Sequence, residues 1–286
     1  MACILSKYQK KCGHNATVLR RSNYDPYGIY EYYRDLVDFV DEKDYFDSCI
    51  HLSKNADIIH IHSRSDALLH LRKKLGPKIK IIMHFHGSDL RGVKQKYSEL
   101  NLISIPKTIF KTYQANKIRK SNNLFAMKSA NRIILSTPDL LDGIQDLNPL
   151  VLNNPVDIEH FCRNQEKRLA TNNRCFTFLT EATSDTKWIV NYCKHHGINE
   201  MKVVDRIRNP IRYSEMPAFL SKFDTYVDVR YVNNRLLENL SKTALESLAC
   251  GLEVIDYRMK KLSKLPAQND PKIVANKVLE IYEDIT

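Results

Sequence analysis

Two glutamates that flank seven residues, Glu238 and Glu246, have the spacing with the clearest chemical meaning in this 286-residue chain. Ser241, between them, is a favourable helix N-cap residue, because its hydroxyl can accept a hydrogen bond from an amide of the first turn. Glu238 is then expected in the loop before the helix, and Glu246 about one turn inside it. Unpaired amides at a helix start attract anions, so a phosphate could bind between the two carboxylates. From spacing alone, a capped helix with two solvated glutamates is the alternative.

Two histidine pairs, His60 with His62 and His84 with His86, form a second group. Side chains two residues apart on a strand share one face. Both pairs stand where predicted strands end, which is the edge at which open α/β sheets build their sites. Such pairs can bind zinc. Further ligands could come from Asp57, Asp66 or Asp89. A metal-dependent hydrolase is therefore one hypothesis, and histidines that only pack are another.

A basic stretch over residues 94–128 is the third feature. Its basic residues are Lys94, Lys96, Lys107, Lys111, Lys117, Arg119, Lys120 and Lys128, against the single acidic residue Glu99. Isoleucine, phenylalanine and tyrosine residues are interleaved with them. The pattern suits anionic lipid, at about 1 kcal/mol for each basic residue near the surface. A solvated, partly mobile lid is the alternative, and no nucleic-acid-binding motif accompanies the stretch.

Composition narrows the class of protein. Apolar residues make up 43% of the chain, enough for real cores, and the net charge of +11 favours an anionic partner over a neutral one. The seven cysteines form no C-x-x-C pair, which indicates a reducing compartment. No apolar run approaches the roughly 20 residues of a membrane span. No Gly-rich phosphate loop is present, which disfavours nicotinamide oxidoreductases and P-loop ATPases.

The order of elements predicts an α/β protein. Short β-branched runs alternate with longer helical patterns, as in βαβ units with parallel sheets. A turn-rich cluster at residues 153–157 marks a boundary. We predict an N-terminal domain over 1–153, a C-terminal domain over 154–268 and a final helical segment over 269–286. The chain opens on a helical pattern at residues 2–12, so the strand that ordinarily opens a βαβ domain is missing from the expected order.

Several segments resemble retaining glycosyltransferases of the GT-B fold, family 4 type. Residues 238–246 resemble their E-x7-E motif, which precedes the last strand of the second domain. The other matching segments are DIIHIHS at 57–63, HFHGSD at 84–89, NRIILST at 131–137, NPVD at 154–157 with Phe161, and SEMP at 214–217. These segments follow the family order across nearly the whole chain.

The resemblance implies two Rossmann-like domains that face a cleft, with the final helix crossing back to the first domain. It places Glu238 on the transferred sugar and Glu246 on the nucleotide ribose. It assigns donor binding to the stretch Leu240, Ser241, Lys242 and Thr243. On the acceptor side it implies His86 beside the reacting sugar, with Gly87 and Asp89 nearby.

The sequence also departs from the family pattern. The first strand and its Gly-rich loop are absent, which indicates either a start assigned too late or a degenerate member. The G-R-x5-K-G segment of the second domain is replaced by residues 179–187. We expect Lys187 to supply the diphosphate-binding lysine, and Arg208 is the candidate arginine near the nucleotide, with a surface arginine as its alternative.

The expected function is therefore transfer of a hexose, with retention, from a nucleotide-diphosphate sugar to a glycan or lipid-linked acceptor. The family ordinarily needs no metal, so we expect no cofactor. We expect a cytoplasmic protein that can lie on the inner face of a membrane, and no nucleic-acid partner. A catalytically inactive glycosyltransferase-like binding protein and the metal-dependent hydrolase remain the alternatives.

Overall fold

The computed structural model describes residues 1–22, 25–91, 105–142, 144–161, 174–180, 186–232 and 235–286. Its contacts divide the chain into two compact units. Unit 1 comprises Met1–Asp41 and Asn153–Leu279, and unit 2 comprises Glu42–Leu152 and Glu280–Thr286.

Helices and strands alternate along most of the chain, as the pattern of apolar residues predicts. In chain order, the helices are α1 (Ala2–Lys11), α2 (Ile29–Tyr32), α3 (Tyr45–Ser53), α4 (Ser65–Leu75), α5 (Ser88–Arg91), α6 (Ile105–Ser129), α7 (Ile158–Phe161), α8 (Thr186–His195), α9 (Met216–Leu220), α10 (Lys242–Ala249) and α11 (Pro271–Glu283). The strands are β1 (Val18–Arg21), β2 (Val37–Val40), β3 (Ile58–His62), β4 (Lys80–Phe85), β5 (Arg132–Leu135), β6 (Leu150–Val151), β7 (Cys175–Leu179), β8 (Lys202–Asp205), β9 (Thr225–Val227), β10 (Tyr231–Val232), β11 (Arg235–Leu236), β12 (Glu253–Ile255) and β13 (Lys261–Leu262).

Unit 2 is built on a four-stranded parallel sheet of order β3-β4-β5-β6. Strand β4 is central, and its side chains from Ile81 to Phe85 are all buried. A strand that is covered on both faces must be apolar on both, and the run Ile81–Met83 meets this requirement. The register pairs His62 with His84 across β3 and β4. The sheet therefore brings the two histidine pairs to the same carboxyl edge.

Unit 1 is built on a five-stranded sheet of order β13-β12-β9-β7-β8. Its strands are parallel except for β13, which pairs antiparallel with β12. Helix α10 leads into β12 through Gly251, whose φ of 79° lies in the left-handed region that ends many helices. Leu245 and Leu248 of α10 are buried in the core of this unit, which stabilises the helix by about 1.5–3 kcal/mol for each side chain.

The first 41 residues have most of their contacts outside the rest of the predicted N-terminal domain. The sequence assigned residues 1–153 to one domain, whereas Met1–Asp41 packs with Asn153–Leu279. Cys3, Ile4 and Tyr8 are buried in the core of unit 1. A buried polar group adds to this packing, because Asp157, which is fully buried, accepts hydrogen bonds from Lys7 Nζ at 2.9 Å and from the Tyr33 hydroxyl at 2.7 Å. The Tyr33 hydroxyl also lies 3.0 Å from that of Tyr213. Burying a carboxylate requires such partners, so these contacts tie the opening segment to unit 1.

The final helix, α11, is divided between the two units. Its residues to Leu279 group with unit 1, and Glu280–Thr286 group with unit 2. Within the described ranges, no helix has both the length and the apolar character that a membrane crossing requires.

Candidate functional site

The start of α10 is the centre of the candidate site in unit 1. Ser241 is the N-cap, as the sequence predicts, and its Oγ accepts from the Ala244 amide at 2.9 Å. The Ser241 amide in turn donates to Asp228 Oδ2 at 2.6 Å. Lys242 and Thr243 therefore occupy the first turn, whose amides are available to an anion in an α-helix of this kind.

Asp228 fixes the position of this helix start. It follows β9 directly, and its amide donates to the Ile255 carbonyl of β12 at 2.8 Å. Its Oδ1 lies 3.2 Å from Arg230 Nε, close enough for an ion pair although the alignment is not that of a hydrogen bond. The Arg230 guanidinium also donates to the backbone and side-chain oxygens of Asn239. One buried carboxylate thus joins the sheet, the loop before α10 and the helix.

Glu246 lies one turn inside α10 and is only 5% exposed. Burial raises the pKa of this carboxyl above its ordinary value, and the positive charges of Lys242 and Arg206 oppose the rise. Lys242 Nζ lies 3.8 Å from Glu246 Oε1. Carboxylates whose pKa is shifted by burial and by neighbouring charges are common at functional sites, so Glu246 with Lys242 and Arg206 is a candidate ligand site.

The arginine whose positive charge lowers the pKa of Glu246 is Arg206, which the sequence reasoning did not single out. Its guanidinium lies over the rings of Tyr27 and Phe178, at 4.6 and 4.9 Å from their centroids. The predicted arginine, Arg208, is 82% exposed, and its Nε lies 3.8 Å from Asp205. Both arginines follow the end of strand β8 at Asp205, but Arg206 packs against aromatic rings whereas Arg208 is exposed to solvent. The strand end was visible in the sequence, but not which arginine turns inward.

The remaining predicted donor residues are less closely grouped. Glu238 is exposed in the loop between β11 and α10, and Leu240 is half-buried. Lys187 is exposed on α8 and lines a surface pocket of about 360 Å³. The lining residues of that pocket are Thr186, Lys187, Val190, Asn191 and Val203. They do not include Glu246, and residues 181–185 of the segment that replaces the family motif lie outside the described part of the chain.

The four histidines of unit 2 form one connected array at the carboxyl edge of its sheet. His60 Nε2 lies 3.1 Å from His84 Nδ1, and His62 Nδ1 lies 2.8 Å from His86 Nε2. Ser136, at the end of β5, joins the two pairs through contacts of 3.0 Å to His84 Nε2 and 2.5 Å to His86 Nδ1. Burial lowers the pKa of His60 to about 3 and holds the pKa of His62 and of His84 well below the usual value. These three imidazoles are therefore neutral at physiological pH.

Asp89, predicted for the acceptor side, uses its carboxylate to accept hydrogen bonds from the turn that precedes it. Its two oxygens accept from the amides of His86 and Gly87 at 2.8 and 2.7 Å, and from the Ser63 hydroxyl at 2.7 Å. Gly87 has a φ of 129°, a conformation that favours glycine. The structure therefore brings His86, Gly87 and Asp89 together, with Asp89 holding the turn that presents His86.

The basic stretch lies partly outside the described residues. Residues 94–104, including Lys94, Lys96 and Glu99, are not among them, and Lys107 and Lys111 are located only as positions in α6. From residue 113 onward, the helix exposes Tyr113 (65%), Ile118 (61%) and Leu124 (52%) beside the exposed Lys117 and Lys120. This part of α6 contains no acidic residue.

The structure is similar to that of a glycosyltransferase from Rickettsia africae ESF-5, with a TM-score of 0.52 at 12% sequence identity, over 99% of this chain and 93% of that chain. No family model and no curated protein matches the sequence. At 12% identity, the likeness establishes a shared fold. The chain therefore has a mixed α/β fold with parallel sheets, which is consistent with a Rossmann-like glycosyltransferase fold.

Proposed function

We propose that the protein is a glycosyltransferase that uses a nucleotide-diphosphate sugar and binds the nucleotide in unit 1. The observation that carries the proposal is the buried Glu246 of α10, whose carboxyl is influenced by the positive charges of Lys242, on the same helix, and of Arg206, after β8. The shared fold with a glycosyltransferase and the E-x7-E spacing support the same assignment.

Each group at this site has a role that its chemistry suits. Glu246 accepts hydrogen bonds from the ribose hydroxyls, which replace the water that its burial excludes. Lys242 and Arg206 are positioned to neutralise the diphosphate, together with the first amides of α10. Arg206 is held by two aromatic rings, so little side-chain entropy is lost when it binds an anion.

The transfer step follows from the same proposal. Glu238 contacts the transferred hexose. Catalysis rests on positioning the donor and on stabilising the departing diphosphate, because charge develops on that group in the transition state. We infer retention of the anomeric configuration from the resemblance to family 4. The proposed reaction uses no metal, and its acceptor is a glycan or a lipid-linked sugar.

A lipid-linked acceptor is favoured by the exposed face of α6. Four large apolar side chains, Tyr113, Ile118, Leu124 and Phe125, are exposed on it. The lysines around them attract anionic headgroups, while aromatic and aliphatic side chains partition into the interface. We therefore propose a peripheral location on an anionic membrane surface.

The matched arginine pair tests the enzymatic proposal. Nucleoside diphosphate release from UDP-, GDP- and ADP-hexoses is measured for the wild type and for Arg206→Met and Arg208→Met. We expect one of the nucleotide sugars to be turned over, with kcat/KM reduced at least tenfold by Arg206→Met and unchanged by Arg208→Met. Nucleotide binding without turnover of any donor would favour the inactive binding protein instead. Equal effects of the two variants would contradict the assignment of Arg206.

A further inference from the structure

The histidine array of unit 2 has the donor set of a metal site. His60, His62 and His84 each present one ring nitrogen, and the three nitrogens lie within 4.8 Å of one another. Two of these histidines are two residues apart on β3, and the third lies on the neighbouring strand β4. Three neutral imidazoles in this arrangement are a donor set that zinc accepts.

The second nitrogen of each ring already has a partner. His60 Nδ1 lies 2.8 Å from the Tyr282 hydroxyl, His84 Nε2 lies 3.0 Å from Ser136 Oγ, and His62 Nδ1 lies 2.8 Å from His86 Nε2. Metal-binding histidines almost always hydrogen-bond through the nitrogen that does not bind the metal, because this bond fixes the tautomer and the ring orientation. The array therefore contains the outer contacts of a metal site as well as its ligands.

The distances leave room for an ion after a small movement. His60 Nε2 and His84 Nδ1 are 3.1 Å apart, and tetrahedral zinc with bonds of 2.0–2.1 Å separates its ligand nitrogens by about 3.3 Å. His62 stacks on His60 with centroids 4.4 Å apart, so small changes in its χ1 and χ2 must bring Nε2 to the same point while Nδ1 keeps its contact with His86.

We propose that His60, His62 and His84 bind one divalent ion of the zinc class, with a fourth position open to water. The ion replaces the hydrogen bond between His60 and His84. No proton leaves the cluster, because the protons move to His60 Nδ1, His62 Nδ1 and His84 Nε2, where Tyr282, His86 and Ser136 accept them. The site is distinct from nucleotide binding in unit 1, and it joins the ends of β3 and β4 to the last residues of the chain.

The test starts with the wild-type protein, so it does not depend on whether a variant folds. Protein stripped with EDTA and then freed of chelator is titrated with ZnCl₂ by calorimetry and with CoCl₂ by visible absorption. We expect one equivalent of each ion to bind, with the intense d–d bands of tetrahedral cobalt. Absence of those bands, or zinc uptake without saturation at one equivalent, would overturn the proposal.

Variants then locate the ion. His62→Gln and His84→Gln should each abolish the cobalt spectrum, while His51→Gln, on the exposed side of α3, should leave it unchanged. Tyr282→Phe removes an outer contact and should weaken zinc binding by about 10- to 100-fold. A cobalt spectrum that persists in both His62→Gln and His84→Gln would place the ion elsewhere. Nucleotide binding by unit 1 should be the same with and without zinc.

Discussion

Removal of the Asp228 carboxylate should release the start of α10 from the sheet. The side chain is fully buried, accepts the Ser241 amide at 2.6 Å and lies 3.2 Å from Arg230 Nε. Asp228→Ala leaves the Ser241 amide without its acceptor and Arg230 without its ion-pair partner, whereas Asp228→Asn keeps an oxygen for the Ser241 amide but removes the charge.

The magnitude follows from these two contacts. A hydrogen bond to a charged acceptor contributes about 1.5–3 kcal/mol, and breaking a buried ion pair by removing one partner costs about 3–5 kcal/mol. Arg230 is still 19% exposed, so water compensates part of its loss. We therefore expect Asp228→Ala to lower the free energy of unfolding of unit 1 by about 3 kcal/mol, and Asp228→Asn by about 1 kcal/mol.

The single tryptophan makes the assay specific to this unit. Trp188 lies on α8 of unit 1, stacked against Tyr192 and Tyr231. Its fluorescence in a urea titration therefore follows the unfolding of unit 1. Asp284→Ala, at an exposed position near the C-terminus, is the control and should change stability by less than about 0.5 kcal/mol. If Asp228→Ala were as stable as this control, Asp228 would not be the residue that fixes the helix start.

Three further predictions concern other parts of the molecule. Because burial raises the pKa of Glu246 in the folded state, its protonated form contributes stability below about pH 4.5, and this contribution is lost as the pH rises through the folded pKa. In urea titrations, Glu246→Gln should therefore have the same free energy of unfolding as the wild type at pH 4 and a larger one at pH 8. A difference that does not change with pH would contradict the buried carboxylate. The double variant Lys117→Gln/Lys120→Gln should weaken binding to phosphatidylglycerol-containing vesicles about 30-fold, at about 1 kcal/mol for each lysine; unchanged co-sedimentation would refute the role of α6. Asp157→Ala should destabilise unit 1 by about 3 kcal/mol and Glu159→Gln, the exposed partner of Lys7, by less than about 1 kcal/mol; equal effects would argue against a buried anchor for the opening segment.

The sequence predicts the regular elements well where local signals are strong. The apolar, β-branched runs at 132–135, 175–179 and 253–255 predict strands β5, β7 and β12, and the helical patterns at 65–75 and 186–195 predict α4 and α8, with the bounds that the structure has. The sequence does not predict strand β2 (Val37–Val40), which pairs with β1 in a separate two-stranded parallel sheet and has two exposed residues. A short, half-exposed strand carries little periodic signal.

The contact units divide the chain near residue 153, where the sequence has a turn-rich cluster, and near residue 41, where it has no such signal. The turn-rich cluster after 152 coincides with the point where the chain enters unit 1 again. The attachment of the first 41 residues depends on Asp157, Tyr33 and Tyr213, which are far apart in sequence. No local pattern reports such long-range contacts.

In the candidate site, too, the sequence predicts the features that depend on adjacent residues and not those that depend on distant ones. The Ser241 cap and the position of Glu246 follow from the spacing and agree with the structure. Sequence reasoning named the exposed Arg208 and did not single out Arg206, because the environment of Arg206 depends on the rings of Tyr27 and Phe178, which are distant in sequence. The roles of Glu238, His86 and Lys187 stay predictions.

The nucleotide site at the start of α10 is tested most directly by calorimetry, with UDP, GDP and ADP titrated into the wild type, Glu246→Ala and the exposed control Glu253→Ala. We expect one nucleotide to bind the wild type and the control equally well and Glu246→Ala to weaken this binding at least tenfold. Failure of all three nucleotides to bind the wild type, or equal binding by Glu246→Ala, would contradict a nucleotide site at the start of α10.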